Sequence, residues 1–238
     1  MDYKYTGIIL NKKNVAETDR IYTIYTQEAG KIRVLGKGVR RPNAKLAGNL
    51  ESLTMAEIFV AKSRGIGKIT GAIVLDNFLG TKSNLDALGR VGDIFKIFGK
   101  IMAEQEKDEQ IFEILAGFLT SMDKLSAEET SGRKMDILSL GFLFKLLGEM
   151  GYRLEVGKCV NCGAKLQPEN NYFSPAKGGV LCERCHTVEN KRLKISTESI
   201  KLVRIFMKNK IENLAKLQVS QKDVNNLKVI VQESINWL

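Results

Sequence analysis

The spacing of apolar and polar positions divides the chain near residue 78. Before that point, short segments rich in β-branched and aromatic residues alternate with polar or glycine-containing turns, which is typical of β-strands. The predicted strands are Tyr5–Leu10, Asp19–Thr26, Lys31–Lys37, Leu53–Lys62 and Lys68–Leu75, with turns predicted over 11–14, 28–30 and 63–67. Because a closed barrel leaves no sheet edge exposed, this run of strands predicts a five-stranded barrel of the OB type.

After residue 78 the apolar residues recur at intervals of three and four, which predicts amphipathic helices. The predicted helices are Leu85–Met102, Ile111–Met122, Met135–Met150, one that begins at Ser196, and Gln221–Ser234. The third is apolar around most of its circumference, so we expect it to be a central buried helix. Ser196 is a predicted N-cap, because Ile195 and Ile200 flank it with the spacing of a hydrophobic staple. The predicted fold is therefore α+β and multidomain, with a barrel domain over 1–80 and a mainly helical domain over 81–238.

Composition and charge argue against a disordered, secreted or membrane-spanning protein and favour one with a polyanionic partner. Of the 238 residues 44% are hydrophobic, so the chain can bury a core and disorder is not expected. The 37 Lys and Arg residues against 27 Asp and Glu leave a net charge of +10, which is typical of a protein with a polyanionic partner. The uncharged apolar stretches are shorter than the ~20 residues of a membrane span, and the N-terminus lacks the apolar run of a signal peptide. We therefore expect a cytoplasmic protein whose cysteines are reduced.

The four cysteines have the spacing of a zinc ribbon or knuckle, C-x2-C-x19-C-x2-C. They are Cys159, Cys162, Cys182 and Cys185, and they place a zinc-binding segment over 157–188, inserted in the helical domain. Four thiolates close the coordination sphere of a zinc ion, so we predict one structural zinc per chain. A redox or iron–sulfur site and four free thiols are the alternatives. His186 adjoins Cys185 and is an alternative ligand, although four sulfurs already complete the tetrahedron.

Basic residues are concentrated in two parts of the predicted barrel domain. No acidic residue lies between residues 31 and 50, and a second basic group surrounds the turn at 63–67. The predicted nucleic-acid-binding residues are Lys31, Arg33, Lys37, Arg40, Arg41 and Lys45 in the first group and Lys62, Arg64 and Lys68 in the second. Such groups follow a phosphate backbone, and the alternative is an ordinary solvated face. Tyr3, Tyr5, Tyr22 and Tyr25 are candidates for base stacking or for core packing.

A third basic group lies on one face of the helix that begins at Ser196. Lys201, Arg204 and Lys208 share this face, beside an apolar ridge that contains Phe206. The face is predicted to bind a partner, either an acidic peptide or nucleic acid, and a solubilising surface is the alternative.

Recognisable catalytic motifs are absent, so we expect no enzyme. Residues 65–68 superficially match a phosphate-binding loop, but Ile69 stands where Ser or Thr would bind magnesium. Glu17 and Asp19 are a single carboxylate pair, which leaves a metal-dependent DNA-processing nuclease as one alternative. An RNA-binding OB-fold protein is the other, because composition does not separate RNA from DNA.

Several motifs resemble those of the RecO family of bacterial recombination mediators. They are TGIIL at 6–10, ETDRI at 17–21, TQEAGK at 26–31 and GKGVRRP at 36–42, in the order and spacing found in that family. The resemblance continues through the helical region to the first cysteine pair and covers essentially the whole chain. It implies an OB fold followed by a helical domain with a four-cysteine zinc site. It also implies that residues 37–42 face DNA.

The resemblance also implies an activity without covalent catalysis. A RecO-type mediator binds single- and double-stranded DNA, anneals complementary strands and acts in DNA repair and homologous recombination. Together with RecR it helps load RecA on DNA coated with the single-strand-binding protein SSB, whose acidic C-terminal tail docks on the helical domain. We therefore predict these partners for this chain, and a cytoplasmic location at the bacterial nucleoid.

Overall fold

The computed structural model describes residues 2–61, 65–128 and 132–237. The chain forms two compact units, Met1–Asp123 and Lys124–Leu238. The first unit contains the predicted barrel and also three helices that follow it. The domain boundary at residue 80 stays a prediction.

The first unit begins with a closed five-stranded barrel, as predicted. Its strands are β1 (Asp2–Val15), β2 (Asp19–Thr26), β3 (Gly30–Gly36), β4 (Met55–Ala61) and β5 (Gly67–Asp76), in the order β1-β2-β3-β5-β4 around the barrel. Neighbouring strands are antiparallel except β3 and β5, which are parallel. Inward-facing residues of all five strands fill the core, among them Ile9, Tyr22, Val34, Ile58 and Ile69. A short 3-10 turn, Gly48–Leu50, lies between β3 and β4.

The predicted turn at 11–14 is wrong, because these residues continue β1. Asn11–Val15 pairs with Asp19–Thr23 of β2, after a register shift between Ile9 and Asn11. The first half of β1 pairs with β4 and the second half with β2, so this strand must be long enough to serve two neighbours. Pairing with β2 satisfies the backbone groups of these polar residues, and this outweighs their low strand propensity.

Three helices follow the barrel: α1 (Leu79–Ser83), α2 (Leu85–Ile101) and α3 (Glu109–Leu125). Asn84 caps α2 by accepting a hydrogen bond of 3.1 Å from the amide of Ala87. The outward-facing ring of Tyr25 packs edge-on against Phe98 of α2 at 4.8 Å and lies 6.4 Å from Phe112 of α3. The predicted amphipathic helices are thus present, and their apolar stripe covers one outer face of β2.

The second unit contains three helices and a small sheet. The helices are α4 (Gly132–Glu149), α5 (Thr197–Lys208) and α6 (Gln221–Asn236). As predicted, α4 is central, with ten buried residues, and Ser196 is the N-cap of α5, accepting from the amide of Ser199 at 2.9 Å. Phe144 of α4 stacks on Phe206 of α5 with ring centroids 5.9 Å apart. A 3-10 turn, Ile211–Lys216, also packs on α4.

The small sheet was not predicted, because its strands are only three or four residues long. It consists of β6 (Asn171–Ser174), β7 (Gly179–Leu181) and β8 (Leu193–Ile195), antiparallel in the order β7-β6-β8. Strands this short carry too few alternating positions to be recognised in a sequence rich in turn residues. Within the described residues, no helix is both long enough and apolar enough to cross a membrane.

Candidate metal centre and nucleic-acid interface

The four predicted cysteines converge on one point in the second unit. The sulfur atoms of Cys159, Cys162, Cys182 and Cys185 all lie within 4.8 Å of one another. Tetrahedral coordination with metal–sulfur bonds of about 2.3 Å places two sulfurs about 3.8 Å apart. The Cys162 and Cys182 sulfurs are separated by 3.8 Å, so the arrangement fits one metal ion held by four thiolates.

Two tight turns build this centre. In the first, the Cys159 amide donates to the carbonyl of Ala164 at 2.8 Å, and Gly163 adopts φ +72°, a conformation that glycine accepts without steric cost. In the second, the Cys185 amide donates to the carbonyl of Cys182 at 3.0 Å. The isolated bridge between Glu155 and Gly179 joins the first turn region to β7. Each turn therefore presents its two sulfurs to the same side.

The protein environment favours thiolate at Cys159. Burial of this side chain opposes ionisation, but backbone amides, that of Cys182 first, donate to the sulfur and lower the pKa of Cys159 to about 6. The Cys182 amide lies 3.4 Å from this sulfur, and the Asn161 side chain donates to Cys185 Sγ at 3.5 Å. Hydrogen bonds of this kind stabilise metal-bound thiolates.

His186 is not part of the sulfur cluster. Its ring stacks on Tyr172 with centroids 4.4 Å apart, and its Nδ1 contacts the carbonyl of Glu183. Tyr172 belongs to β6, so this histidine holds the second cysteine turn against the sheet. The four sulfurs complete the site without it.

A separate feature of the first unit is an exposed basic loop, residues 37–45, which follows β3. Lys37, Arg40, Arg41 and Lys45 are all exposed, whereas Val39 is buried in the barrel core. The loop is thus anchored by one apolar residue while its cationic side chains are exposed, although the Arg40 guanidinium also donates to the carbonyl of Ala16 at 3.4 Å. This geometry suits contact with a flexible phosphate backbone.

Asp19 fixes the start of the basic loop. Its carboxylate accepts a hydrogen bond of 2.7 Å from the amide of Gly38, and this bond, more than any other effect, lowers the pKa of Asp19 below its ordinary value. The neighbouring Thr18 carbonyl accepts from the amide of Arg40 at 2.9 Å. The carboxylate considered as a metal ligand of a nuclease is therefore engaged in holding the loop, a role that the sequence pattern alone did not reveal.

The other predicted DNA-binding residues differ in their surroundings. Arg33 and Lys68 are exposed, and Lys62 and Arg64 lie outside the described residues. The ammonium of Lys31 donates to the carbonyl of Gly99 at 2.9 Å and also contacts the carbonyl of Met102. Lys31 therefore stabilises the C-terminal end of α2, where a positive charge interacts favourably with the helix dipole.

The residues of the predicted partner-binding face also differ from one another in exposure and in contacts. Lys201 is exposed and forms an ion pair of 2.7 Å with Glu198, one turn earlier on α5. Arg204 is half-buried and donates from Nε to the carbonyl of Val156 at 2.9 Å. Lys208 is exposed. Phe206 is fully buried against Phe144, so the expected apolar ridge at this residue does not reach the surface.

A cavity of about 380 Å³ lies beside this face, within the second unit. Its lining combines cations with apolar side chains: Arg153, Leu154, Glu155, Val156, Gly157, Arg204, Met207 and Lys208. Arg153 was missed in the sequence because it stands between the predicted helix and the first cysteine pair, outside any periodic segment. The turn after α4 brings it to the same cavity as Arg204 and Lys208.

Comparison with known proteins gives matches along nearly the whole chain. The family model described as recombination protein O N terminal matches residues 1–78, and that described as recombination protein O C terminal matches residues 85–238. A DNA repair protein RecO of Dehalococcoides mccartyi is 28% identical over 237 residues, covering 100% of this chain and 90% of that protein. Proteins of the same name from Acetivibrio thermocellus and Bacillus subtilis are 29% and 25% identical, covering 98% and 96% of this chain and 90% and 86% of their own lengths. The chain therefore belongs to the RecO family of DNA repair and recombination proteins.

Proposed function

We propose that this protein binds single- and double-stranded DNA and anneals complementary strands, and that with RecR it helps load RecA on DNA coated with SSB. The observation that supports the DNA-binding part best is the exposed basic loop over 37–45, fixed to the barrel by Asp19 and Val39. The protein would act in the cytoplasm at the nucleoid, where these partners are found.

Electrostatics suffices for strand annealing. Two strands repel one another through their phosphates, and cations on the loop neutralise part of that charge and release condensed counterions. Because the contacts are to phosphates, they are independent of base sequence and leave the bases available for pairing. We propose Lys37, Arg40, Arg41 and Lys45 as the main contacts, and Arg33, Lys62, Arg64 and Lys68 as further contacts. Lys31 acts indirectly, by holding α2 beside the barrel strand that precedes the loop.

Replacing Arg40 and Arg41 by Ala is expected to weaken DNA binding for all sequences alike. Each lost phosphate contact removes about one unit from the slope of log affinity against log salt, so the slope should become shallower by about one to two units. Fluorescence anisotropy across a salt series measures this. The matched control is Lys96→Ala with Lys100→Ala, which removes two exposed positive charges from α2. An unchanged slope in the loop variant, or an equal change in the control, would contradict the proposal.

The protein is expected to hydrolyse neither DNA nor ATP. Asp19, the candidate metal ligand of a nuclease, accepts from Gly38 and Thr18 instead. Incubation of labelled single- and double-stranded DNA with magnesium or manganese should give no cleavage, and incubation with ATP no phosphate release. Cleavage that disappears in Glu17→Gln or Asp19→Asn, while both variants stay folded, would favour the nuclease.

We propose that the four-cysteine centre holds one zinc ion, and that this ion is structural. Four thiolates leave no coordination position for water or substrate, so the metal takes no part in chemistry. Its contribution is to join the two cysteine turns to the three-stranded sheet, because the buried cluster at the sulfurs is small, with Cys159, Leu181 and Cys182 as its buried members.

We also propose that the acidic C-terminal tail of SSB docks on the face formed by Lys201, Arg204 and Lys208. The adjacent cavity of about 380 Å³ offers cations for carboxylates and the half-buried side chain of Met207 for an apolar end. Because Arg204 also supports the carbonyl of Val156, its loss would disturb the fold as well as the surface. Arg153 and Lys208 are therefore the better residues to vary.

Replacing Arg153 and Lys208 by Ala is expected to slow association with a tail peptide about tenfold at low salt and to leave the fold intact. The same variant should anneal naked strands normally and be defective on SSB-coated strands. Stopped-flow binding and an annealing assay measure both effects. Lys216→Ala, which removes an exposed charge of the second unit that does not line the cavity, is the control and should have no effect. Equal loss on naked and coated DNA would instead make these residues part of the DNA surface.

A further inference from the structure

The closed barrel is weakly joined at one seam. Strands β3 and β5 pair only through Val34 with Gly67 and Leu35 with Lys68, whereas β1 pairs with β4 over the whole of Asp2–Ile8. A cavity of about 580 Å³ opens beside this seam, within the size range of ligand pockets, about 300–1,000 Å³. We call it the barrel mouth. Its inner wall includes Tyr3, Tyr5, Ile32, Val34, Val60 and Gly67.

Two tyrosines give the barrel mouth an aromatic wall. Tyr3 and Tyr5 lie two residues apart on β1 and so share one face of the strand. Their rings are nearly parallel, with 7° between the planes and centroids 5.9 Å apart, and both side chains are half-buried. Tyr22 and Tyr25, by contrast, are completely buried. Of the four tyrosines in β1 and β2, only the first two thus offer ring surface to a ligand.

The charge around the barrel mouth does not suit a phosphate. Glu28 and Glu104 line it together with Lys31, Arg33 and Lys107, so acidic groups face the mouth as well as basic ones. Lys107 is paired with Glu109 at 2.7 Å, and the ammonium of Lys31 is directed at carbonyls of α2. The basic loop over 37–45, in contrast, contains no acidic residue. A flat, uncharged ligand with an apolar face fits the mouth better than an anion.

We propose that the barrel mouth accepts an unpaired nucleobase of single-stranded DNA, which stacks on Tyr3 and Tyr5. This rests on the proposed DNA binding and adds to it a means of distinguishing single strands from duplex. A base within a duplex must be unpaired and unstacked before it can enter, whereas a base in a single strand is already accessible. The basic loop binds phosphates of both forms. Annealing therefore removes the contact at the mouth, so the duplex product is held less tightly than the single strands.

Tyr3→Leu and Tyr5→Leu are expected to lower affinity for oligothymidylate by roughly 5- to 150-fold each, the usual range for loss of a base–aromatic stack. Affinity for a hairpin duplex with the same number of phosphates should change by less than about twofold, and the salt slope should stay the same. Tyr3→Phe and Tyr5→Phe keep the ring and should restore affinity for single strands. Tyr152→Leu, at a tyrosine of the second unit that is 53% exposed, is the matched control and should have no effect.

Tyr5 also packs against the barrel core, so its replacement by leucine could disturb the fold as well as the stacking surface. A second measurement therefore uses the unaltered protein. Irradiation of the complex with an oligonucleotide that carries 5-iododeoxyuridine should crosslink the base to Tyr3 or Tyr5, identified by mass spectrometry. An unchanged ratio of single-strand to duplex affinity in folded leucine variants, or crosslinks confined to other residues, would overturn the proposal. Failure of the proposed DNA binding would give a different result, because the unaltered protein would then bind neither single-stranded nor duplex DNA.

Discussion

Removal of the metal from the four-cysteine centre is expected to unfold the small sheet of the second unit. The buried cluster around the centre consists of Cys159, Leu181 and Cys182, with only a few half-buried side chains packed against it. Phe173 and Val180 of the sheet are also fully buried, but these few side chains do not offset the conformational entropy of ordering the segment over 157–188, which costs about 1–2 kcal/mol per residue for the backbone alone. Binding of structural zinc supplies about 10–16 kcal/mol in small zinc-binding domains, so the metal provides most of the folding free energy here.

Elemental analysis should find about one zinc ion per chain, and calorimetry should show a lower transition temperature after treatment with a strong chelator. Cys159→Ser should reproduce this loss in the presence of zinc. His186→Ala is the matched control, because this histidine stacks on Tyr172 but is not in the sulfur cluster, and it should retain the zinc. Full stability of metal-free protein with four reactive thiols would contradict the structural role.

The same treatment should affect DNA binding less than it affects stability. The proposed phosphate contacts and the barrel mouth all belong to the first unit, Met1–Asp123, and the cysteines belong to the second. Affinity for naked single strands should therefore survive under conditions in which the sheet is unfolded. A parallel loss of affinity and of structure would place part of the DNA surface on the metal-binding segment.

Hydrophobic periodicity was sufficient to predict the long elements. Strand β2 has its predicted bounds, and α2, α3, α4 and α6 each lie within three residues of their predicted ends. These segments bury one face over many residues, so the periodic signal is strong. The second half of β1 and the sheet β6–β8 escaped prediction for the opposite reason. Their hydrogen bonds to neighbouring strands, and the metal centre beside the sheet, stabilise sequences that have little periodicity.

The candidate sites were predictable to different degrees. Cysteine spacing indicated the metal centre, because only a few turn geometries place two thiolates on one ion. Charge counting identified the basic residues but not their contacts, so it could not separate Lys31, which contacts the end of α2, from Arg40, which is exposed. Contacts between residues distant in sequence, such as Asp19 with Gly38, have no signal in a single chain. The barrel mouth is likewise visible only once β1, β3 and β5 are assembled.

Gly30→Ala is expected to destabilise the first unit by about 2–4 kcal/mol, through backbone strain combined with overpacking. Gly30 has φ +63°, and a Cβ atom at this position would lie 2.0 Å from the carbonyl oxygen of Glu106. That oxygen belongs to the backbone between α2 and α3, so it cannot move without displacing the connector. The connector is fixed to β3 by a hydrogen bond of 2.9 Å from the Gln105 amide to the carbonyl of Lys31.

Substitutions at two other glycines distinguish the contribution of backbone strain from that of overpacking. Gly65 has φ +80°, and no atom of the described residues lies within 4 Å of an added Cβ, so Gly65→Ala should cost only the strain of about 1–2 kcal/mol. Gly89 lies within α2, where an added Cβ likewise meets no described atom within 4 Å, and Gly89→Ala should stabilise the protein by up to about 1 kcal/mol. Urea denaturation followed by circular dichroism measures all three. Equal costs at Gly30 and Gly65 would show that the connector does not press on the hairpin between β2 and β3.

The position of Gly30 connects this stability effect to DNA binding. Glu104, Gln105 and Lys107 of the connector line one side of the barrel mouth, and Ala29 of the hairpin lines it as well. A side chain at residue 30 would push these two walls apart and widen the mouth, without touching the exposed cations of the basic loop. Folded Gly30→Ala protein should therefore lose affinity for oligothymidylate and keep its affinity for duplex and its salt slope, as the Tyr3 and Tyr5 variants do. Uniform loss on both forms of DNA would mean that the damage extends from the hairpin to the loop that follows β3.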